Sequence, residues 1–135
     1  MTTVEARDPF GRSALHYAAL HDDLAEVRGL LAQGADPNAS DRNGMTPLHL
    51  ASQGHSPLAV RLLLAAGADP NREDKYGNGP LWTAVFNSQG RGEVIGLLRA
   101  AGADPLHRNR AGRSPVDLAR KIASHDVRRL FADLP

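Results

Sequence analysis

The chain contains no cysteine, which excludes a disulfide framework and any thiolate metal centre. Aromatic residues make up only 4% of it, so a core must be built mainly from Leu, Ala and Val. Ala and Leu are strong helix formers, which favours helices over sheet. No apolar run approaches the roughly 18 residues of a membrane span, and the opening MTTVEARDPF lacks the apolar stretch of a secretory leader. These absences lead us to expect a soluble, cytoplasmic protein without a membrane span. A strong charge of either sign is missing too, the formal net charge being +1. The charge is unevenly spread: residues 1–106 carry 9 Lys/Arg against 12 Asp/Glu (−3), residues 107–135 carry 7 against 3 (+4). Such asymmetry bears on a partner. At 135 residues with 41% hydrophobic content, the length suits one domain.

What is present is a period. GADPN at Gly34–Asn38 returns at Gly67–Asn71, and GADPL follows at Gly102–Leu106, steps of 33 and 35 residues. SALH at Ser13, TPLH at Thr46, GPLW at Gly79 and SPVD at Ser114 keep the same step, as do Gly11, Gly44, Gly77 and Gly112. Three markers sharing one period define a repeat array. In the second unit Thr46 is a suitable N-cap and Pro47 a suitable first helical residue. The helix runs through LHLASQ to Gly54; Ser56-Pro57 starts a second, LAVRLLLAA, which Gly67 stops as a C-cap. Asp23 and Ser124 take the place of Ser56 in their own units. The stretch GADPNREDKYGN, rich in Gly, Pro, Asn and Asp, is an extended turn. Each unit is then helix, tight turn, helix, long turn, and a single helix pair cannot bury its apolar face without stacked neighbours.

DRNGMTPLHLA (Asp41–Ala51) and LLLAAGADPN (Leu62–Asn71) resemble an ankyrin-repeat protein. The resemblance implies an all-α solenoid of stacked helix–turn–helix units with β-turn or hairpin fingers. The expected organisation is a tail at 1–7 and one domain at 8–135, divided as 8–40, 41–73, 74–108 and 109–135. Departures are informative. Ala14 stands for proline and Asp22-Asp23 for a glycine turn in the first unit, which suits a polar end cap. Gly79 and Trp82 replace Thr and His in the third, removing a hydroxyl cap and a histidine bond. Two extra residues lie within Asn87–Gly92, and LFADLP closes the fourth unit without a GAD turn.

His16 and His49 sit one repeat apart. A zinc reading lacks further ligands, and in the family this histidine bonds backbone and capping hydroxyl. His21, His55, His107 and His125 form no i,i+4 pair. Asp36, Asp69 and Asp104 recur in the turn word, as Asp8, Asp41 and Asp74 recur before the fingers, so a structural turn role is expected of all. No GxSxG, P-loop, GxGxxG or EF-hand pattern occurs. The expectation is a non-enzymatic chain with no cofactor and no metal.

Periodic positions are constrained by stacking, so recognition is sought where the units differ. The concave finger and first-helix face that the resemblance implies maps to Phe10, Arg12, His21, Arg42, Asn43, Met45, Gln53, Glu73, Lys75, Tyr76, Asn78, Phe86, Asn87, Arg108, Arg110, Arg113 and Lys121, with Trp82 nearby. Aromatic residues and Arg are the types enriched at interface hot spots. The expected function is to bind one protein partner, acidic where it meets the basic C-terminal part, with the chain itself a monomer. The 14 Arg against 2 Lys suggest a bacterium of high GC content. Short free-standing bacterial ankyrin proteins resemble immunity proteins, so an inhibitor neutralising a toxin or enzyme is one reading and an adaptor or regulatory scaffold subunit another. A nucleic-acid reading would use Arg108, Arg110, Arg113, Lys121, Arg128 and Arg129.

Overall fold

A computed structural model describes residues 6–122 and 124–135, so most of the expected tail, residues 1–5, lies outside the described residues. Among the described residues there are eight α-helices and no strand. They pair in chain order: α1 (Ala14–Leu20) with α2 (Leu24–Ala32), α3 (Pro47–Gln53) with α4 (Pro57–Ala65), α5 (Pro80–Phe86) with α6 (Glu93–Ala100), and α7 (Pro115–Ile122) with α8 (His125–Arg128), which passes into a 3-10 turn at Arg129–Phe131. First helices stack on first helices (α1 on α3 on α5 on α7), and α2, α4 and α6 stack likewise. The fold is an all-α solenoid.

Among the described residues no helix exceeds 9 residues, well below the roughly 12–15 at which an isolated helix holds in water. Stability therefore comes from stacking. Leu15, Leu48, Leu81 and Val116 form one buried row across the first helices; Leu30, Leu63 and Leu98 form another along α2, α4 and α6, which Phe131 of the 3-10 turn continues. Removing the side chain of one such leucine costs about 2–5 kcal/mol.

The turn word ends α2, α4 and α6 by a Schellman motif. At Gly67 (φ +97°) the N–H donates to Leu64 O at 3.1 Å, and Ala68 N–H donates to Leu63 O at 2.9 Å. The same pair of bonds forms at Gly34-Ala35 and Gly102-Ala103. Glycine takes the left-handed conformation there without a Cβ penalty, and the following Ala is buried. Asp36, Asp69 and Asp104 each accept the N–H two residues on, at 2.8, 2.9 and 2.9 Å. Asn38 and Asn71 then reach the next turn: Asn38 accepts from Asp69 N–H (2.7 Å) and donates to Gly67 O (3.1 Å), and Asn71 does the same with Asp104 and Gly102.

Capping agrees with the sequence reading at Thr46, Asp23 and Ser124, which accept from His49, Glu26 and Val127 N–H. It differs at Ser56. That hydroxyl makes no cap bond; Pro57 fixes the start of α4, and a proline at the first helical position reduces what a cap must satisfy. The lengthened loop at 87–92 packs against the last helix pair. Ser88 is buried, a Cβ at Gly92 would meet Leu130 Cδ1 at 2.5 Å, and one at Gly90 would meet Ser124 Oγ at 3.7 Å. The extra residues lean on the last helix pair and brace it. There Arg99 forms a bidentate pair with Asp133 (2.8 and 2.9 Å) and donates to Leu130 O.

Candidate functional site

The fingers are built from one recurring device. Asp41 Oδ1 accepts the N–H of Asn43 (2.8 Å) and Met45 (2.9 Å), closing a tight loop. Asp8 does this for Phe10 and Arg12, Asp74 for Tyr76 and Asn78, and Asn109 for Ala111 and Arg113. The Oδ1 atom of each aspartate, and of Asn109 in the fourth finger, is committed to backbone donors, the structural duty expected of the periodic aspartates. Adjacent fingers share one backbone bond each: Arg42 N–H to Phe10 O, Lys75 N–H to Asn43 O, and Arg110 N–H to Tyr76 O, at 2.9, 2.8 and 3.0 Å.

The two periodic histidines tie fingers to helices. His16 and His49 are both fully buried. Each Nδ1 accepts the N–H of its own cap residue, Ser13 (3.0 Å) or Thr46 (3.1 Å). That leaves Nε2–H to donate to the next finger, at Met45 O and Asn78 O, both 2.9 Å. Burial lowers the pKa of both rings, so the neutral tautomer is the working form. Among the described residues no group of three or more His, Asp or Glu is placed to hold a metal.

At the third unit Trp82 takes the histidine's place, half-buried against the core. The tie to the fourth finger is made by other groups, which sequence reasoning missed. His107 Nε2 lies 3.2 Å from Gly77 O and 2.6 Å from Glu73 Oε1, and Asn109 Nδ2 donates to Asn78 Oδ1 at 2.8 Å. The signal that pointed there was the loss of His at position 82. Trp82 lines a cavity of about 20 Å³ with Asn71, Asn78, Asp104, His107 and Pro115, room for about one water molecule.

The recognition residues expected from the sequence fall into two rows. Phe10, Arg42, Asn43, Lys75, Tyr76, Arg110 and Arg113 stand on successive fingers and are exposed. Gln53, Phe86 and Lys121 stand exposed at the C-terminal ends of α3, α5 and α7. His21, just past α1, stacks on Tyr17 with ring centroids 6.3 Å apart. Arg12 is drawn inward, bonding Asp41 at 3.1 Å with Phe10 and Tyr17 rings against it, while Tyr17 donates to Asp8. Met45, Asn78 and Asn87 are half-buried, and Asn87 donates to Thr83 O. Exposed Arg108 donates to Gly112 O, and exposed Glu73 faces His107.

A family model for ankyrin repeats in three copies matches residues 15–109. The chain belongs to the ankyrin-repeat family. Ankyrin repeats generally mediate protein–protein interaction, and the match spans the first three helix pairs. No curated protein matches the chain. Among the described residues no helix is long and apolar enough to cross a membrane.

Proposed function

We propose that this ankyrin chain is a non-catalytic module that holds one partner protein against its fingers and first-helix ends. The observation that carries this reading is where large apolar side chains stand in water. Among the described residues six are about half exposed or more, and four of them, Phe10 (63%), Tyr76 (60%), Phe86 (64%) and Ile122 (50%), lie on fingers or first-helix ends. The second helices expose one, Leu58. Exposed aromatics grouped with Arg are the composition of an interface centre.

The short, mutually bonded fingers are preorganised, so little ordering entropy is lost on binding. That suits an inhibitor that neutralises a toxin or enzyme, as well as a scaffold or regulatory subunit. Exposed Arg108, Arg110, Arg113 and Lys121 favour a partner surface that is acidic there, and association that slows with added salt. The division into four units at 8–40, 41–73, 74–108 and 109–135, the monomeric state and a cytoplasmic setting belong to the same proposal.

The test is the triple change Tyr76→Ala, Phe86→Ala and Arg113→Ala. None of these side chains belongs to the buried core, so the helical circular dichroism and melting temperature should hold. Capture of the partner identified by mass spectrometry from the native host should fall by roughly thirtyfold or more, the scale of one hot spot. Retained capture would refute the face; loss of folding would show these residues to be stacking residues. A gel shift with random DNA and RNA at low salt separates the nucleic-acid reading, for which the same cations would give a steep salt slope.

A further inference from the structure

Resting on the protein-binding reading, we infer that the finger edge is a comb of cations that takes an extended acidic segment of the partner. The segment lies in a polyproline-type conformation with a carboxylate at every third residue. Arg42, Lys75 and Arg110 occupy the same place in three successive fingers. The N–H of each bonds the carbonyl of the previous finger's next residue, Phe10, Asn43 and Tyr76. That shared register sets the three cations one stacking step apart.

Their stems are held as well as their backbones. A Cβ on Gly11 would meet Arg42 Cγ at 3.1 Å, and one on Gly77 would meet Arg110 Cγ at 3.4 Å. The missing side chain is therefore the shelf on which the next finger's arginine lies. Lys75 Nζ stands 5.1 Å from the Tyr76 ring centroid, which keeps cation and ring together. All three side chains are exposed, and none forms an ion pair among the described residues. The finger carboxylates have other partners: Asp41 takes two N–H groups and Arg12, Asp74 takes two N–H groups, and Glu73 faces His107.

The spacing selects the partner's conformation. Packed helices lie about 8–10 Å apart, so the cations repeat on that scale. A polyproline helix has three residues per turn and rises about 3.1 Å per residue, returning a side chain to the same face every 9.3 Å or so. In a β-strand the third residue turns to the opposite face. Phe10 and Tyr76 add aromatic plates beside the cations, the surface on which polyproline segments dock.

The test uses the full chain and two fluorescein-labelled peptides of equal composition, four Glu-Pro-Pro triplets or four consecutive glutamates followed by eight prolines, with a twelve-residue oligo-dT as a third probe. Fluorescence anisotropy should give the spaced peptide the highest affinity. Lys75→Gln with Arg110→Gln should weaken it about two- to thirtyfold, the scale of two exposed ion pairs. Arg28→Gln with Arg61→Gln removes the same charge from exposed sites on α2 and α4 and should leave it unchanged. Equal affinity for both peptides, or equal loss in both variants, would mean diffuse attraction and overturn the comb. Tighter binding of oligo-dT would overturn it in favour of a nucleic acid. If the spaced peptide fails to bind while the Tyr76, Phe86 and Arg113 variant still abolishes host-partner capture, the comb falls and the protein-binding reading stands.

Discussion

Acidification below pH 6.5 should unstack this protein. His16 and His49 are fully buried, and each accepts a backbone N–H at Nδ1 while donating from Nε2 to the neighbouring finger. A second proton at Nδ1 would set N–H against the backbone N–H of Ser13 or Thr46, leaving only the cap hydroxyl at 2.9 Å to accept it, and would place a charge in the core. Burial accordingly lowers both pKa values below the ordinary 6.5. A base whose pKa falls on folding holds its proton more tightly in the unfolded chain, so its stabilising contribution is whole above pH 6.5 and is lost as pH falls below that value. While the folded rings stay neutral, each costs about 1.4 kcal/mol per pH unit. That loss is drawn from a total stability of about 5–15 kcal/mol. The melting temperature should fall as the pH drops below 6.5. Asp8, Asp117 and Asp133, whose pKa values are lowered by Tyr17, Ser114 and Arg99 respectively, contribute stability that is lost only below their ordinary 3.8, a separate window. The assay is equilibrium urea unfolding from about pH 7.5 to 5 for the wild type and for His16→Gln with His49→Gln. The variant starts lower at neutral pH, since buried donors lose their partners, but its stability should be nearly flat. His55, whose pKa burial also lowers, leaves a smaller slope of the same sign. A wild-type stability unchanged across the window, or a variant with the full wild-type slope, would refute the reasoning.

Glycine substitutions should split by what a new Cβ meets. Gly54→Ala places it 2.5 Å from Leu20 O, a backbone atom that cannot step aside, and should destabilise by about 1–3 kcal/mol. Gly29→Ala and Gly96→Ala sit inside α2 and α6 with nothing within 4 Å; each should stabilise by about 0.5–1 kcal/mol, read from the urea midpoint. Asn38→Ala removes two bonds to the next turn and should cost about 1–3 kcal/mol. Leu106→Ala, at the equivalent place without such side-chain bonds, should lie within about 0.5 kcal/mol of wild type. Raising salt should lower the melting temperature through the Arg99–Asp133 pair, and Asp133→Asn should abolish that part of the salt dependence.

The period was legible because stacking repeats its demands: a left-handed turn at Gly67, a buried Ala68, a cap at Thr46 and a histidine at 49 each answer a local rule, and a local rule leaves a mark in one short word. What the words could not carry was exchange between them. Trp82 announced a missing bond, yet nothing in its neighbourhood said that His107 and Asn109, some 25 residues on, would supply the tie to the fourth finger. Arg12 looked like a recognition residue by type and place, and it is half consumed by Asp41 of the next unit. The 87–92 loop was visible as two surplus residues, but its contact with Leu130 depends on how the last pair packs, not on any motif. The same distinction orders the surface. Arg42, Lys75 and Arg110 differ in identity from Pro9 at the first finger, so no repeat word includes them, yet the backbone bonds that satisfy stacking hold them at the stacking interval. The scaffold's own regularity thus becomes a spacing that a partner can read, and a side chain that varies between units acquires a repeated geometry from the unit that carries it.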